Sequence, residues 1–180
     1  MEEKNKKSIS KFLSLVLRHQ PKLIGLVLDE NGWADTTELI RLSATKQVHF
    51  TKMELQEIVA TNDKKRFAFN NDESKIRASQ GHSIVIDLAL RATEPPAFLY
   101  HGTAEKNREI ILSDGIRKMN RQHVHLSDNK TTATNVGSRH GKPFVFTVLA
   151  GQMFQDGILF YLSENGVWLT DYVDAIYISK

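Results

Sequence analysis

Apolar residues recur at helical spacing near the start of the chain. Ile9, Phe12, Leu13, Val16 and Leu17 share one face of the stretch SISKFLSLVLRH, the 3.6-residue period of an amphipathic helix. Ser8 is a candidate N-cap and Pro21 a stop, so the pattern predicts a helix over residues 8–19 with Arg18 and His19 in its last turn. In GLVLDENGWAD two short apolar runs flank Asn31-Gly32, a dipeptide that favours a tight hairpin turn. Asp35 with Glu38, and Thr51 with Glu54, set a side-chain acceptor three residues before an acid. That spacing is the capping-box pattern and predicts one helix through Leu42 and another from residue 52 to about 61. RFAF and SKIRA flank the turn-rich NNDE and predict a hairpin, IVIDLAL predicts an apolar strand, and ATEPPA, near residues 91–97, predicts a linker.

Two short helices followed by a basic-edged hairpin is the element order of a winged helix, a module usually found on nucleic acid. The second half has a different texture. FLYHGT reads as a strand entering a turn, AEKNREIILSDG as a helix with Gly115 at its C-terminal end, VHLS as a short strand and residues 130–138 as a helix. PFVFTVLA, GILFYLS, VWLT and AIYIS are β-rich and aromatic, with Asn165-Gly166 as a turn, and suggest a compact sheet with few helices. The fold class expected is therefore α+β, with an N-terminal lobe over 1–92 and a β-rich C-terminal lobe over 93–180.

Composition adds limits. At 180 residues, with 41% hydrophobic and 25% charged residues, the chain can build two small cores. It has no cysteine, which excludes disulfides and thiolate metal sites. The start MEEKNKKS has no apolar signal segment and no run reaches membrane-spanning length, so a soluble, cytoplasmic protein is expected. The net charge of +3 matters less than its placement. From Arg117 to Lys142 there are six Lys or Arg, three His and one acid, Asp128. Such a segment is either a solvated basic face or a contact for a polyanion.

Several chemistries are missing: no phosphate-cradling P-loop, no G-x-G-x-x-G and no G-x-S-x-G. His123 and His125 alternate on a strand and with His101 offer imidazoles to a zinc ion, but no H-E-x-x-H and no nearby carboxylate completes the set; the expectation is no metal. Arg18-His19 has a plain reading as cations at a helix C-terminus. It has a second reading in company with Arg77, Arg121, Arg139 and the histidines of the second half. Arginine matches two phosphate oxygens with a planar fork, and histidine moves a proton near neutral pH. HGT at 101–103 is either a simple turn or a place where backbone approaches a ligand closely.

Taken in order, SKFLSLVLRH, GLVLDENGW, IRASQGHS, LYHGT, RQHVHLS and FYLSENGVWLT resemble the motifs of the RNA 2′-phosphotransferase family of the KptA type, from Ser10 to Thr170. The resemblance implies a winged-helix lobe followed by an ADP-ribosyltransferase-like lobe, with the active site in the cleft between them. It implies that an internal RNA 2′-phosphate, such as that of a tRNA splice junction, attacks the nicotinamide-bearing carbon of NAD⁺ and expels nicotinamide. The ribose 2″-hydroxyl of the RNA-2′-phospho-ADP-ribose then attacks phosphorus, giving 2′-hydroxyl RNA and ADP-ribose 1″,2″-cyclic phosphate. The family's phosphate-site quartet falls on Arg18, His19, Arg77 and Arg139, with Arg121 the competitor for the fourth place. NAD⁺ contacts fall on His101, Gly102, Thr103, His125 and Ser127. The glutamate carried by other members of the fold has no evident counterpart here, Val167 standing nearest. RNA and NAD are the partners expected, for a monomer.

Three rivals remain open on the residues: a non-enzymatic winged-helix nucleic-acid binder with a ligand-sensing second lobe, an ADP-ribosyltransferase acting on nucleic-acid phosphate ends or proteins, and a metal-dependent phosphoesterase using His123 and His125.

Overall fold

In the computed structural model, which describes residues 1–179, the chain divides into two compact units, Met1–Ala89 and Leu90–Lys180. Each has its own apolar core. No helix among the described residues is long and apolar enough to cross a membrane.

The first unit opens with α1, Glu3–Arg18, which buries Ile9, Leu13, Val16 and Leu17 as the apolar period requires. It begins five residues before Ser8, because tertiary contacts extend it: Lys6 bridges Glu57 at 2.9 Å and the N-terminal amine reaches Glu57 at 3.3 Å. The unit continues with β1 (Ala34–Asp35), α2 (Thr36–Ala44), α3 (Lys52–Ala60), β2 (Phe67–Phe69) and β3 (Lys75–Ala78). Asp35 caps α2 through the Glu38 amide, and Thr51 and Glu54 form the full reciprocal box on α3, as the sequence predicts. β2 and β3 form the expected antiparallel hairpin, and β1 adds to the other edge of β3.

Two expectations change in this unit. Asn31-Gly32 does form a turn, with Gly32 at φ +79°, the Gly32 amide on the Asp29 carbonyl, and the Asp29 amide donating to the Trp33 carbonyl at 2.9 Å. The run before the turn, however, is no strand, and Ala34–Asp35 pairs with β3 instead. IVIDLAL keeps a strand's alternation, burying Ile86 and Leu88, yet it joins no ladder. Its backbone bonds the Asp29–Asn31 turn: the Asp87 amide donates to the Glu30 carbonyl at 2.9 Å, and Asn31 Nδ2 donates to the Asp87 carbonyl at 2.7 Å.

The second unit contains β4 (Leu99–Ala104), α4 (Arg108–Asp114), β5 (Ile116–Arg117), β6 (Val124–Leu126), α5 (Lys130–Gly137), β7 (Pro143–Val148), α6 (Ala150–Gln155), β8 (Tyr161–Leu162), β9 (Trp168–Thr170), β10 (Tyr172–Val173) and β11 (Ile178–Ser179). These strands form small antiparallel sheets, β11-β7-β4, β6-β9-β8 and β10-β5, rather than one sheet. The first two are stitched where Tyr100 and Ser127 exchange backbone bonds of 2.7 and 2.9 Å. Leu99, Phe146, Val148, Met153 and Phe160 fill the core. PFVFTVLA gives up its last residue, Ala150, to α6, and GILFYLS contributes only Tyr161–Leu162 to a ladder. AIYIS is mostly a 3-10 turn over Ala175–Tyr177, capped by the Asp174 side chain. The mixed helix and sheet content is α+β, as expected.

Candidate active site

In the first unit α1 ends at Arg18, and its last carbonyls need partners once the chain leaves the helix. The segment that follows β3 supplies one. The Ser83 amide donates to the Arg18 carbonyl at 3.0 Å, and Ser83 Oγ lies 2.9 Å from Nδ1 of His19. The same segment is fixed at its start, where the Ser79 amide bonds the Arg66 carbonyl and Ser79 Oγ donates to the Lys65 carbonyl. Gly81, at φ +86°, makes the reversal between them.

This wiring gathers three of the four quartet residues. Arg18 donates to the Arg66 carbonyl at 3.3 Å and lies over the Phe67 ring at 5.9 Å. Arg77 projects from the middle of β3 and stacks its guanidinium 4.5 Å from the Trp33 ring centre. Trp33 is held in turn by the Asn31-Gly32 turn, its amide donating to Asp29 Oδ1 at 2.9 Å. Among them sits His82, 1% exposed, with neither ring nitrogen bonded to a protein group among the described residues. Burial first, then the charges of Arg18, His19 and Arg77, push its pKa down to about 4, so it is neutral at neutral pH. A neutral imidazole lets cations crowd together without adding another charge.

The second unit brings together the remaining candidates. His101 on β4 gives its Nδ1 proton to the His125 carbonyl at 3.2 Å; a carbonyl only accepts, so Nε2 of His101 is a hydrogen-bond acceptor. Burial, chiefly, holds His101 below the usual imidazole range. His125 on β6 accepts from Arg121 Nη1 at its Nδ1, 3.0 Å away. Desolvation and the positive charge of Arg139 hold the Arg121 guanidinium below its ordinary value, which places both competing arginines in one neighbourhood. Arg139 lies in the exposed 3-10 turn after α5. Ser127 carries the stitch to Tyr100, and Lys130 lies over the Tyr100 ring at 5.3 Å.

The close approach at Gly102 is made by protein. A β-carbon there would collide with the backbone carbonyl of Ala133, and one on Gly137 would come 2.6 Å from the Thr103 carbonyl oxygen. β4 and α5 thus touch backbone to backbone through two glycines. Thr103 Oγ1 accepts from Asn107 at 3.0 Å and closes the turn after β4. Val167 uses its backbone to hold the buried Ser163. Among the described residues no group of three or more His, Asp or Glu is arranged to hold a metal ion; His123 packs edge-on to Tyr161 at 5.9 Å.

Trp33, His82 and Ser83 were legible as letters of GLVLDENGW and IRASQGHS, but their partnerships were not, since Ser83 and His19 are 64 positions apart.

A family model described as RNA 2′-phosphotransferase, Tpt1/KptA family, matches residues 4–172. A probable RNA 2′-phosphotransferase of Flavobacterium johnsoniae is 58% identical over 178 residues, 99% of this chain and 98% of the relative. Proteins with the same description from Hahella chejuensis and Herpetosiphon aurantiacus are 53% and 48% identical, over 98% and 99% of this chain and 95% and 98% of their own lengths. With a match of this extent the chain belongs to the RNA 2′-phosphotransferase, Tpt1/KptA family.

Proposed function

We propose that this enzyme removes an internal 2′-phosphate from RNA by transferring it to NAD⁺, with Arg18, His19, Arg77 and Arg139 handling the phosphate. Residues 1–92 act as a winged-helix RNA lobe, a reading supported by α2, α3 and the β2-β3 hairpin in that order. Residues 93–180 act as an ADP-ribosyltransferase-like lobe. The observation that carries the reading is the grouping of Arg18, His19 and Arg77 around one neutral, buried imidazole in a chain of this family.

The donor set of the second unit suits a dinucleotide. His101 offers an acceptor to a ribose hydroxyl, and the Arg121 guanidinium suits a diphosphate. NAD⁺ supplies an electrophilic ribose carbon and later a hydroxyl that takes the phosphate. A phosphate dianion is already a nucleophile, so the first displacement needs no protein base. The demand on the protein falls on the second step, where negative charge gathers on phosphorus and the RNA O2′ must leave. Fixed guanidiniums stabilise that charge, and His19 gives the departing oxygen a proton.

The test is direct. An oligoribonucleotide carrying one internal 2′-phosphate is incubated with the protein, with and without NAD⁺, while RNA and free nicotinamide are followed. The expected result is phosphate loss with matching nicotinamide release, only when NAD⁺ is present. Phosphate loss without NAD⁺ would overturn the reading.

A further inference from the structure

The segment after β3 does more than end a hairpin. It returns to the end of α1 and bonds it twice, through the Ser83 amide to the Arg18 carbonyl at 3.0 Å and through Ser83 Oγ to His19 Nδ1 at 2.9 Å. The first bond fixes the backbone of Ser83 one residue from His19, so the hydroxyl meets the ring from a defined direction. His82, within this segment, is 1% exposed, and its burial leaves the segment little play.

A histidine that delivers a proton must do so from one nitrogen, with the ring held in one of two flipped orientations. In the charged ring both nitrogens carry protons. Nδ1–H donates to Ser83 Oγ, which leaves Nε2 to deliver the other. We propose that Ser83 is a positioning residue for the phosphoryl-transfer step: by engaging Nδ1 it fixes the His19 ring so that Nε2–H protonates the leaving RNA oxygen. The inference rests on the role given to His19 under Proposed function.

The step balances. The 2″-hydroxyl oxygen bonds to phosphorus as the P–O2′ bond breaks, and its proton passes to solvent water. The electron pair of the broken bond goes to O2′, which takes the Nε2 proton. His19 keeps its Nδ1 proton on Ser83 and regains the other from solvent. A serine fits this place better than the carboxylate that often orients a catalytic histidine. The charges of Arg18, His19 and Arg77 all act on His82, which places these cations close together. A carboxylate among them would offset the arginines and repel a phosphate dianion, whereas a hydroxyl orients the ring without charge.

The experiment separates the two steps in single turnovers across pH, with nicotinamide release reporting the first and decay of the ADP-ribosylated RNA the second. In Ser83→Ala the second step is expected to slow about tenfold, in the range that loss of an orienting partner costs an imidazole. Nicotinamide release and the RNA KM stay near wild type. The alkaline limb of the second-step profile moves to lower pH, because the hydroxyl that accepts from the charged ring is gone. Ser83→Thr restores both rate and profile. A Ser83→Ala enzyme with an unchanged second step and profile overturns the proposal. So does equal slowing of both steps that Ser83→Thr fails to rescue, which marks a merely structural role. His19→Ala is run beside them: if it keeps the wild-type second step, the role of His19 itself fails. The ring ¹⁵N signals of His19, compared between wild type and Ser83→Ala, decide the hydrogen bond without reference to turnover. Unchanged signals would overturn it.

Discussion

Gly102 of β4 and Ala133 of α5 approach so closely that the glycine hydrogen occupies the only room left before the Ala133 carbonyl oxygen. Gly137, one turn further along α5, repeats the arrangement against the Thr103 carbonyl. The glycine of the HGT motif therefore serves the packing that holds His101 on β4 in place beside β6 and α5.

Gly102→Ala is accordingly expected to be destabilising. The new methyl group meets backbone rather than a side chain that could swing away, so α5 must shift as a body. Overpacking of this kind costs about 3 kcal/mol or more. Thermal unfolding should show a clear fall in Tm for Gly102→Ala and for Gly137→Ala. Unaltered Tm in both would mean that α5 floats over β4.

These glycines show where sequence reasoning stops. The strand and the helix at 130–137 were legible from local pattern, as were the caps at Asp35 and Thr51, because their causes lie within a few residues; the turn expected at HGT was not found, since His101, Gly102 and Thr103 continue β4 and pair with β7. The start of α1 was not, since it depends on Glu57 of α3. IVIDLAL misled for the same reason: its alternation was real, but Asp87 at its centre bonds a turn more than fifty residues earlier. In the site, Arg18, His19 and Arg77 stood out by residue type. The neutral His82 among them and the bond from Ser83 could be recognised only once β3 returned the chain to the end of α1.

His82 makes stability depend on pH in a defined window. Its folded pKa of about 4 lies below the ordinary 6.5 of an unfolded histidine, so between these values the unfolded chain binds a proton that the folded chain refuses. Stability therefore falls as pH drops from about 6.5 toward about 4, by at most about 3 kcal/mol, and this contribution levels off below. Above 6.5 both states are neutral and His82 adds no slope. Denaturant unfolding of wild type and His82→Leu across this range should show a steeper decline for wild type. Parallel curves would mean that His82 titrates normally in the folded protein.

Arg121 and Arg139 can be told apart by the step each affects. Arg121 is tied to His125, whereas Arg139 lies in the exposed turn after α5. Arg139→Ala and Arg77→Ala should cost about 10² to 10³ in the second step, roughly 3 to 4 kcal/mol, so that ADP-ribosylated RNA accumulates. Arg121→Ala should instead raise the KM for NAD⁺ and slow nicotinamide release, with no such accumulation. Gel analysis of the RNA beside a nicotinamide assay reads both; accumulation with Arg121→Ala and none with Arg139→Ala would exchange the two assignments.

Trp33 should matter to catalysis through Arg77 alone. The ring stacks 4.5 Å from the guanidinium, and the Asp29 turn fixes the tryptophan amide. A cation over an aromatic face gains about 0.5 to 2 kcal/mol, enough to select one orientation of an otherwise flexible side chain. Trp33→Ala should slow the second step about tenfold, less than loss of Arg77 itself, because the charge remains but its aim is lost. Trp33→Phe keeps a face for stacking and should recover most of the rate. Combining Trp33→Ala with Arg77→Ala should add nothing beyond Arg77→Ala, since the ring would act only by orienting that arginine. Additive losses in the double variant would show instead that Trp33 contacts the RNA on its own account.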